Sequence, residues 1–412
     1  RVRRQRQMCI RDSLCSWIEY YLIKEIRMAK NKKVRKFSKF ANNQLDFILL
    51  ITVILLLSLG LIMVLSASSP TSLAETGDDS YSYFRKQAGF AIVGVIAMLF
   101  ISKIDYRFWK KFYKIAYIGS IILLLMVVIP KIGVEAGGAR RWINLGVQFQ
   151  PSELAKIGLI IFYASYLSDH KDELRDFKKG FIKPLLYLVP IVLILILVQD
   201  HLSATIIIVL VVGIMMLMAG VRPMYFATVG SATAVAGVAG LYAMAKFTSK
   251  GAFRIARITS FLNPWADKQG DGWQVIQSLY AIGSGGLFGV GLGQSKQKYL
   301  YISEPHTDFI FAVLAEELGF VGCAIVIALF GIFIWRGVLA AMKAPDMFGS
   351  LVAVGITSLI GLQAIINIAV VTSSMPVTGM PLPFFSYGVT SLLILLCSVG
   401  ILLNISRAGS KI

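Results

Sequence analysis

The stretch EPHTDFIFAVLAEELG, residues 304–319, sets His306, Asp308, Glu316 and Glu317 in an apolar run that extends over 307–335. A carboxylate in a bilayer helix is costly and points to function. Glu304-Pro305 reads as a helix start, because proline at the first helical position sacrifices no hydrogen bond. Asp308 then falls in the first turn, at the outer membrane face, where the helix dipole favours negative charge and a carboxylate can accept a proton. Glu316 lies two turns deeper and about 80° round the helix from Asp308. Glu317 points more nearly the opposite way, so the two acids are expected to do different jobs. For Glu317 the bland role is a snorkel or a partner for a basic residue.

The elements that position these residues are membrane helices. Of 412 residues 57% are hydrophobic and only 15% charged, which excludes a soluble protein of this size. Apolar runs long enough to span occur at about 46–66, 86–102, 113–130, 152–168, 184–200, 202–220, 223–246, 307–335, 350–373 and 384–405. The fold expected is all-α, a polytopic membrane protein with about ten helices. Only QDHLS separates the fifth and sixth runs, which predicts a tight hairpin. The basic tail at 28–45 and the basic loops SKIDYRFWKKFYK and SDHKDELRDFKKGFIK put both termini in the cytoplasm. The long loop at 247–306, between the seventh and eighth spans, is then extracytoplasmic. The formal net charge of +19 reads as topology and contact with anionic membrane lipids, not nucleic acid. Residues 1–27 share nothing with the span pattern. They are expected to be a non-native or disordered extension, dispensable for insertion and activity.

Cys9, Cys15, Cys323 and Cys397 form no C-x-x-C, and His170, His201 and His306 are scattered, so neither a disulfide framework nor a zinc site is expected. GSGGLFGVGLG lacks G-K-[ST] and is no nucleotide loop; it reads as a short interfacial helix with flexible turns.

Three segments converge on the outer face beside Asp308. GGARRWINLGVQFQPSELAKI offers Arg140, Arg141 and, one turn inside the fourth span, Lys156, which should face the bundle interior and find an anion. The long loop adds Arg254, Arg257, Lys268, Lys296 and Lys298. SSMPVTGMPLPFFSYG suits a tightly turned or re-entrant segment lining a cavity. One carboxylate among cations, above a membrane groove, fits a lipid-linked anionic substrate: cations for a diphosphate, a groove for a polyprenyl tail. No Ser or Cys nucleophile stands beside a base.

HTDFIFAVLAEELG, GGARRWINLG…QPSELAK, FLNPWAD…GDGWQVIQSLYAIGSGGLFGVGLGQSKQKY and PLPFFSYG together resemble the SEDS family (shape, elongation, division and sporulation) from about Asn43 to Arg407. Within it they are more similar to the division and sporulation branch (FtsW, SpoVE) than to the elongation branch (RodA). The resemblance implies a peptidoglycan glycosyltransferase. Such an enzyme polymerises lipid II, the undecaprenyl-diphosphate-linked disaccharide peptide, at the outer face of the cytoplasmic membrane. It works at the division septum with a class B penicillin-binding protein and other division proteins. The family's catalytic aspartate falls on Asp308. Arg140, Lys156 and Arg254 would then stabilise the departing diphosphate, and Glu304 and His306 would position the acceptor. No cofactor is implied with certainty. A divalent cation, Mg2+ or Mn2+, could share the diphosphate charge, but the sequence shows no ligand cage.

Two departures stand out. Where the family has P-D-x-G, this chain has Asp200-His201-Leu202-Ser203, with His201 in the acid's place, and no catalytic role is assigned to either. Tyr387-Gly388-Val389-Thr390 replaces Y-G-G-S, a change expected to affect the fit of the last span rather than the chemistry. The rival readings are a lipid II flippase or other carrier, for which Lys156 and Glu316 would serve equally well, and a non-enzymatic division scaffold.

Overall fold

The structure is a computed structural model that describes residues 45–77, 79–129, 132–136, 139–144, 146, 148–230, 261, 263–266, 268, 272–299 and 305–409. The extension at 1–27 and the basic tail, save Leu45, lie outside the described residues, as do most of the run at 223–246 and much of the long loop, including Arg254 and Glu304.

The helices are α1 (Phe47–Thr76), α2 (Ser82–Ile101), the short α3 (Arg107–Lys110), α4 (Tyr113–Met126), α5 (Pro151–Asp169), α6 (Lys183–Leu193), α7 (Leu202–Ala219), α8 (Trp273–Gly285), α9 (Ile310–Met342), α10 (Met347–Val371) and α11 (Val389–Gly409). Among the described residues seven apolar helical stretches are long enough to cross a membrane, α6 among them because π-helical turns extend it to Phe177–Val198, and α4 is a shorter apolar helix. The chain is thus an all-α polytopic membrane protein. The one sheet among the described residues, which the span pattern did not predict, is a small antiparallel one of β1 (Gly133–Ala136), β2 (Ala139–Asn144) and β3 (Gln148–Phe149). The hairpin predicted at QDHLS is present: the chain leaves its helix at Val198 and re-enters at Leu202.

Burial separates two kinds of helix. α5 and α10 are covered on nearly every side, whereas α2 and α4 present Ile92, Ile96, Phe100, Ile115, Ile118 and Ile122 outward, as lipid-facing helices do. α5 carries buried Ser152, Lys156 and Ser165, side chains that a lipid-facing helix would not tolerate.

One end of the bundle is tied by charge. Asp46 caps α1, accepting from the Leu49 N–H at 3.1 Å, and also receives Arg336 of α9 at 2.6 Å and Ser406 of α11 at 3.1 Å. Alongside, the Tyr106 hydroxyl and the Arg107 guanidinium both donate to Asp346, which caps α10. With the starts of α1 and α10 fixed here, the start of α9 and the end of α10 lie at the other end, where Asp308 stands.

Candidate active site

Asp308 sits in a turn, residues 305–309, that precedes α9; it is not in the helix's first turn, as Glu304-Pro305 suggested. The cause is a set of outside donors. The His306 carbonyl accepts from the Tyr387 N–H at 2.8 Å, the Thr307 carbonyl from the Ser386 hydroxyl at 2.6 Å, and the Asp308 carbonyl from the Asn367 amide at 2.8 Å. Carbonyls turned toward these partners do not open a helix, and helical geometry begins only at Ile310.

The donors belong to α10 and to the strap at 376–388, the segment read as tightly turned. Asn367, 1% exposed, uses its other amide hydrogen on the Met380 carbonyl at 2.6 Å. Gln87 of α2 grips the strap from the far side, donating to the Ser386 carbonyl at 3.3 Å and accepting from the Gly388 N–H at 3.2 Å. Two strap residues hold left-handed backbone, Gly379 at φ 65° and Phe384 at φ 67°, the second a conformation that side-chain-bearing residues adopt only when their surroundings enforce it. Gly60 of α1 makes room there, since a Cβ on it would lie 2.2 Å from the Phe384 carbonyl oxygen. A Cβ on Gly379 would lie 3.2 Å from the Asp308 carboxylate. The residue before it, Thr378, accepts through its carbonyl from the Ser203 hydroxyl of α7. His306 packs its ring on Tyr83 and Tyr387, at centroid separations of 5.0 and 5.8 Å.

A second cluster stands where α5 and α7 begin. Lys156 is 4% exposed and does find an anion, Glu153 one turn back on its own helix, at 2.7 Å. Below it runs a narrow apolar cleft between α5, α7 and α10, lined by Leu159, Ile160, Ile208, Val212 and Leu359. Arg140 is exposed on β2 and pairs with Glu135 at 3.5 Å. Its neighbour Arg141 turns inward, to the Gln199 and Asp200 carbonyls at 3.3 and 2.7 Å. His201 caps α7 through Nδ1, which accepts from the Ala204 N–H at 3.2 Å. The Gln150 side-chain nitrogen lies 3.2 Å from Nε2, with the donor and acceptor roles set by the ring's tautomer. Burial, then the charges of Arg141 and Lys156, push the His201 pKa down to about 3, so the ring is neutral at physiological pH.

Glu316 and Glu317 overturn the expectation of separate tasks, because both hold one loop. Glu316 accepts from the Ser295 hydroxyl and from the N–H groups of Lys296 and Gln297. Glu317 accepts from Ser66 at 2.6 Å and from Lys298 at 3.0 Å. Lys298 is consequently buried and ion-paired, not part of an open cationic face. The glycine run is packed rather than flexible. α9 breaks at Gly319 (φ 66°, ψ −166°). Its loosened backbone pairs with the run: Val290 and Gly291 donate to the Glu316 and Glu317 carbonyls, and Phe320 and Val321 donate to those of Gly286 and Leu287. Irregular backbone at such depth persists only when protein satisfies it.

Among the described residues no cluster of His, Cys, Asp and Glu could hold a metal ion. Sequence reasoning missed Asn367, Ser386, Gly379 and Ser203. Asn367 left a signal, a lone amide in the apolar stretch IINIAVV, which needs partners in a membrane helix.

Fold and site together define a polytopic membrane protein with a carboxylate moulded into the mouth of its helix bundle and a buried cation over an apolar cleft. The chain belongs to the FtsW/RodA/SpoVE family, described as cell cycle proteins, whose model matches residues 46–411. It is 46% identical over 363 residues to the stage V sporulation protein E of Bacillus subtilis (strain 168), covering 88% of this chain and 97% of that protein. It is 42% identical over 362 residues to the probable peptidoglycan glycosyltransferase FtsW of Geobacter sp. (strain M18), covering 88% and 96%. Among solved structures it resembles a chain from work on the coordination of polymerization and crosslinking by a peptidoglycan synthase complex, with TM-score 0.72 and 27% identity over 89% of this chain and 98% of that one. It also resembles the rod shape determining protein RodA of Thermus thermophilus, with TM-score 0.63 and 27% identity over 88% and 97%.

Proposed function

We propose that this chain polymerises lipid II with Asp308 as general base. That it is a peptidoglycan glycosyltransferase follows from its family and its relatives. The choice of base comes from the family resemblance, and one observation supports it: three consecutive carbonyls of the Asp308 turn are each held by a donor from another segment. A turn fixed so closely suits a group whose reacting atoms must come within about 3–3.5 Å of a substrate.

The donor sugar carries its own leaving group, a diphosphate on C1 of MurNAc, so one base suffices. Asp308 takes the proton of the acceptor GlcNAc 4-hydroxyl. The oxygen attacks C1 from the face opposite the diphosphate, the new C1–O bond forms as the old one breaks, and the electron pair leaves with the diphosphate. The configuration inverts and the link is β-1,4. Lys156 stabilises the departing charge by exchanging Glu153 for phosphate oxygens, with Arg140 and Arg254 assisting. Glu304 and His306 position the acceptor. The relative solved in a synthase complex supports a class B penicillin-binding protein as partner. The kinship to FtsW and the sporulation protein supports action at the septum with other division proteins.

Glycan strand formation from lipid II by the purified protein, read on gels, is the test. Asp308→Asn is nearly isosteric and should lower the rate by about 10²–10⁴-fold while leaving insertion intact. Polymer from the Asn variant at the wild-type rate would overturn the assignment. Lipid II transport without polymerisation by the wild-type protein would instead favour the carrier reading.

A further inference from the structure

We propose that Ser386 and Asn367 are positioning residues for the glycosyl transfer, acting on Asp308 through the backbone that carries it. The inference rests on Asp308 being the base. Ser386 has one proton to give. Its oxygen already accepts from the Leu382 N–H at 2.6 Å, so the hydroxyl hydrogen is directed at the Thr307 carbonyl. Asn367 likewise spends both amide hydrogens, on the Asp308 and Met380 carbonyls, and so ties the catalytic turn to the strap at the residue after Gly379. Gly379 is the strap residue whose Cβ position abuts the Asp308 carboxylate. The two side chains therefore fix both the turn that bears the carboxylate and the wall against which it stands.

Their own surroundings are rigid. Asn367 rides on α10, covered on nearly every side. Ser386 is buried, and its N–H closes a turn on the Leu382 carbonyl at 3.0 Å while Gln87 holds its carbonyl. A donor held this firmly transmits position: if it is lost, a buried carbonyl is left to find another partner and the turn relaxes. Displacement of a catalytic group by about 1 Å can cost about 10²-fold in rate. Substrate binding draws on other groups, so the loss should appear in kcat and not in KM.

The experiment measures kcat and KM for lipid II polymerisation by purified wild-type protein, Ser386→Ala, Asn367→Leu and the double variant, with melting temperatures in parallel. Leucine keeps the volume of asparagine without its donors. Each single change is expected to lower kcat at least about 10-fold, with KM within about two-fold. The double variant should lose less than the product of the two, since both act on one turn. Ser386→Thr, which keeps the hydroxyl, should retain more activity than Ser386→Ala. Wild-type kcat in both single variants, or a rise in KM at constant kcat, would overturn the proposal. Should either variant fail to insert, the other carries the test alone, with the threonine form as a second measure of the hydroxyl. Asp308→Asn separates this inference from the one beneath it. An inactive Asn form beside fully active Ser386 and Asn367 variants removes the positioning role only. An active Asn form removes the base itself.

Discussion

Two irregular stretches bracket the first turns of α9, and they are held in different ways. At 305–309 the backbone is fastened by neutral donors, two of them side chains, and the bonds go to carbonyls. At Gly319 the backbone pairs with other backbone, and the carboxylates of Glu316 and Glu317 are taken up by the side chains of Ser66, Ser295 and Lys298 and by three N–H groups. The acids at the break serve as fasteners for a loop. The acid at the turn is itself what the fasteners hold. A carboxylate in a membrane helix thus marks function only after its own bonding has been traced.

The largest effect should come from breaking the backbone pairing at Gly319. A Cβ on Gly289 would lie 2.1 Å from the Glu317 carbonyl oxygen, and the residue holds φ 80°. Gly289→Val should abolish recovery of folded protein, a cost of about 4 kcal/mol or more. Gly283→Ala is the control, because nothing lies within 4 Å of its Cβ position. Size-exclusion profiles and yield of the two purified variants decide the matter. Equal recovery of both would show that the glycine run is not packed against α9.

Lys298→Met comes next and sharpens the contrast. It leaves Glu317 buried with its countercharge gone, which costs about 3–5 kcal/mol. The double change Lys298→Met with Glu317→Gln should recover most of that, since it removes both charges. The expected signature is a fall in melting temperature with kcat per folded molecule little changed, the reverse of the pattern for Ser386→Ala. A large kcat loss in a stably folded Lys298→Met protein would erase the distinction between the two stretches.

How much of this was legible follows from the range over which each signal acts. Spans announce themselves locally, and most described helices start and stop within a few residues of the apolar runs. Asp308 stood out because a carboxylate is conspicuous beside FIFAVLA. The break at Gly319 was invisible, because a single glycine costs a helix only about 1 kcal/mol and the residues that bond across it lie far off in sequence, in Gly286 to Gly291. The depth of Glu317 was legible, but its partner was not. Lys298 read as one more loop cation until the fold brought it beside Ser66 and Gly293. Asn367 is a single uncharged side chain in α10, and Ser386 one hydroxyl within a motif quoted whole. What they bond to depends on a strap folding back over the turn, which no local pattern encodes.

The smallest expected effect concerns His201, where charge and neutrality meet again at the outer end. The ring is held neutral by burial and by Arg141 and Lys156, its pKa pushed down to about 3 from the ordinary 6.5. In the unfolded chain the imidazole takes a proton near pH 6.5, while in the folded protein it takes one only near pH 3. Between these values the unfolded state binds more protons, so stability falls as pH falls through that window. Above it the residue contributes no pH dependence. The loss is at most about 1.4 kcal/mol per pH unit. His201→Asn keeps an acceptor for the Ala204 N–H, since asparagine is a good helix cap, and it removes the titration. Melting temperatures of the two proteins should lie close together at pH 7.5 and diverge at pH 5, with the asparagine variant the less sensitive to acid. Parallel declines from pH 7.5 to pH 5 would mean that His201 ionises in the folded protein as readily as in the unfolded one, and that burial, Arg141 and Lys156 do not hold it neutral.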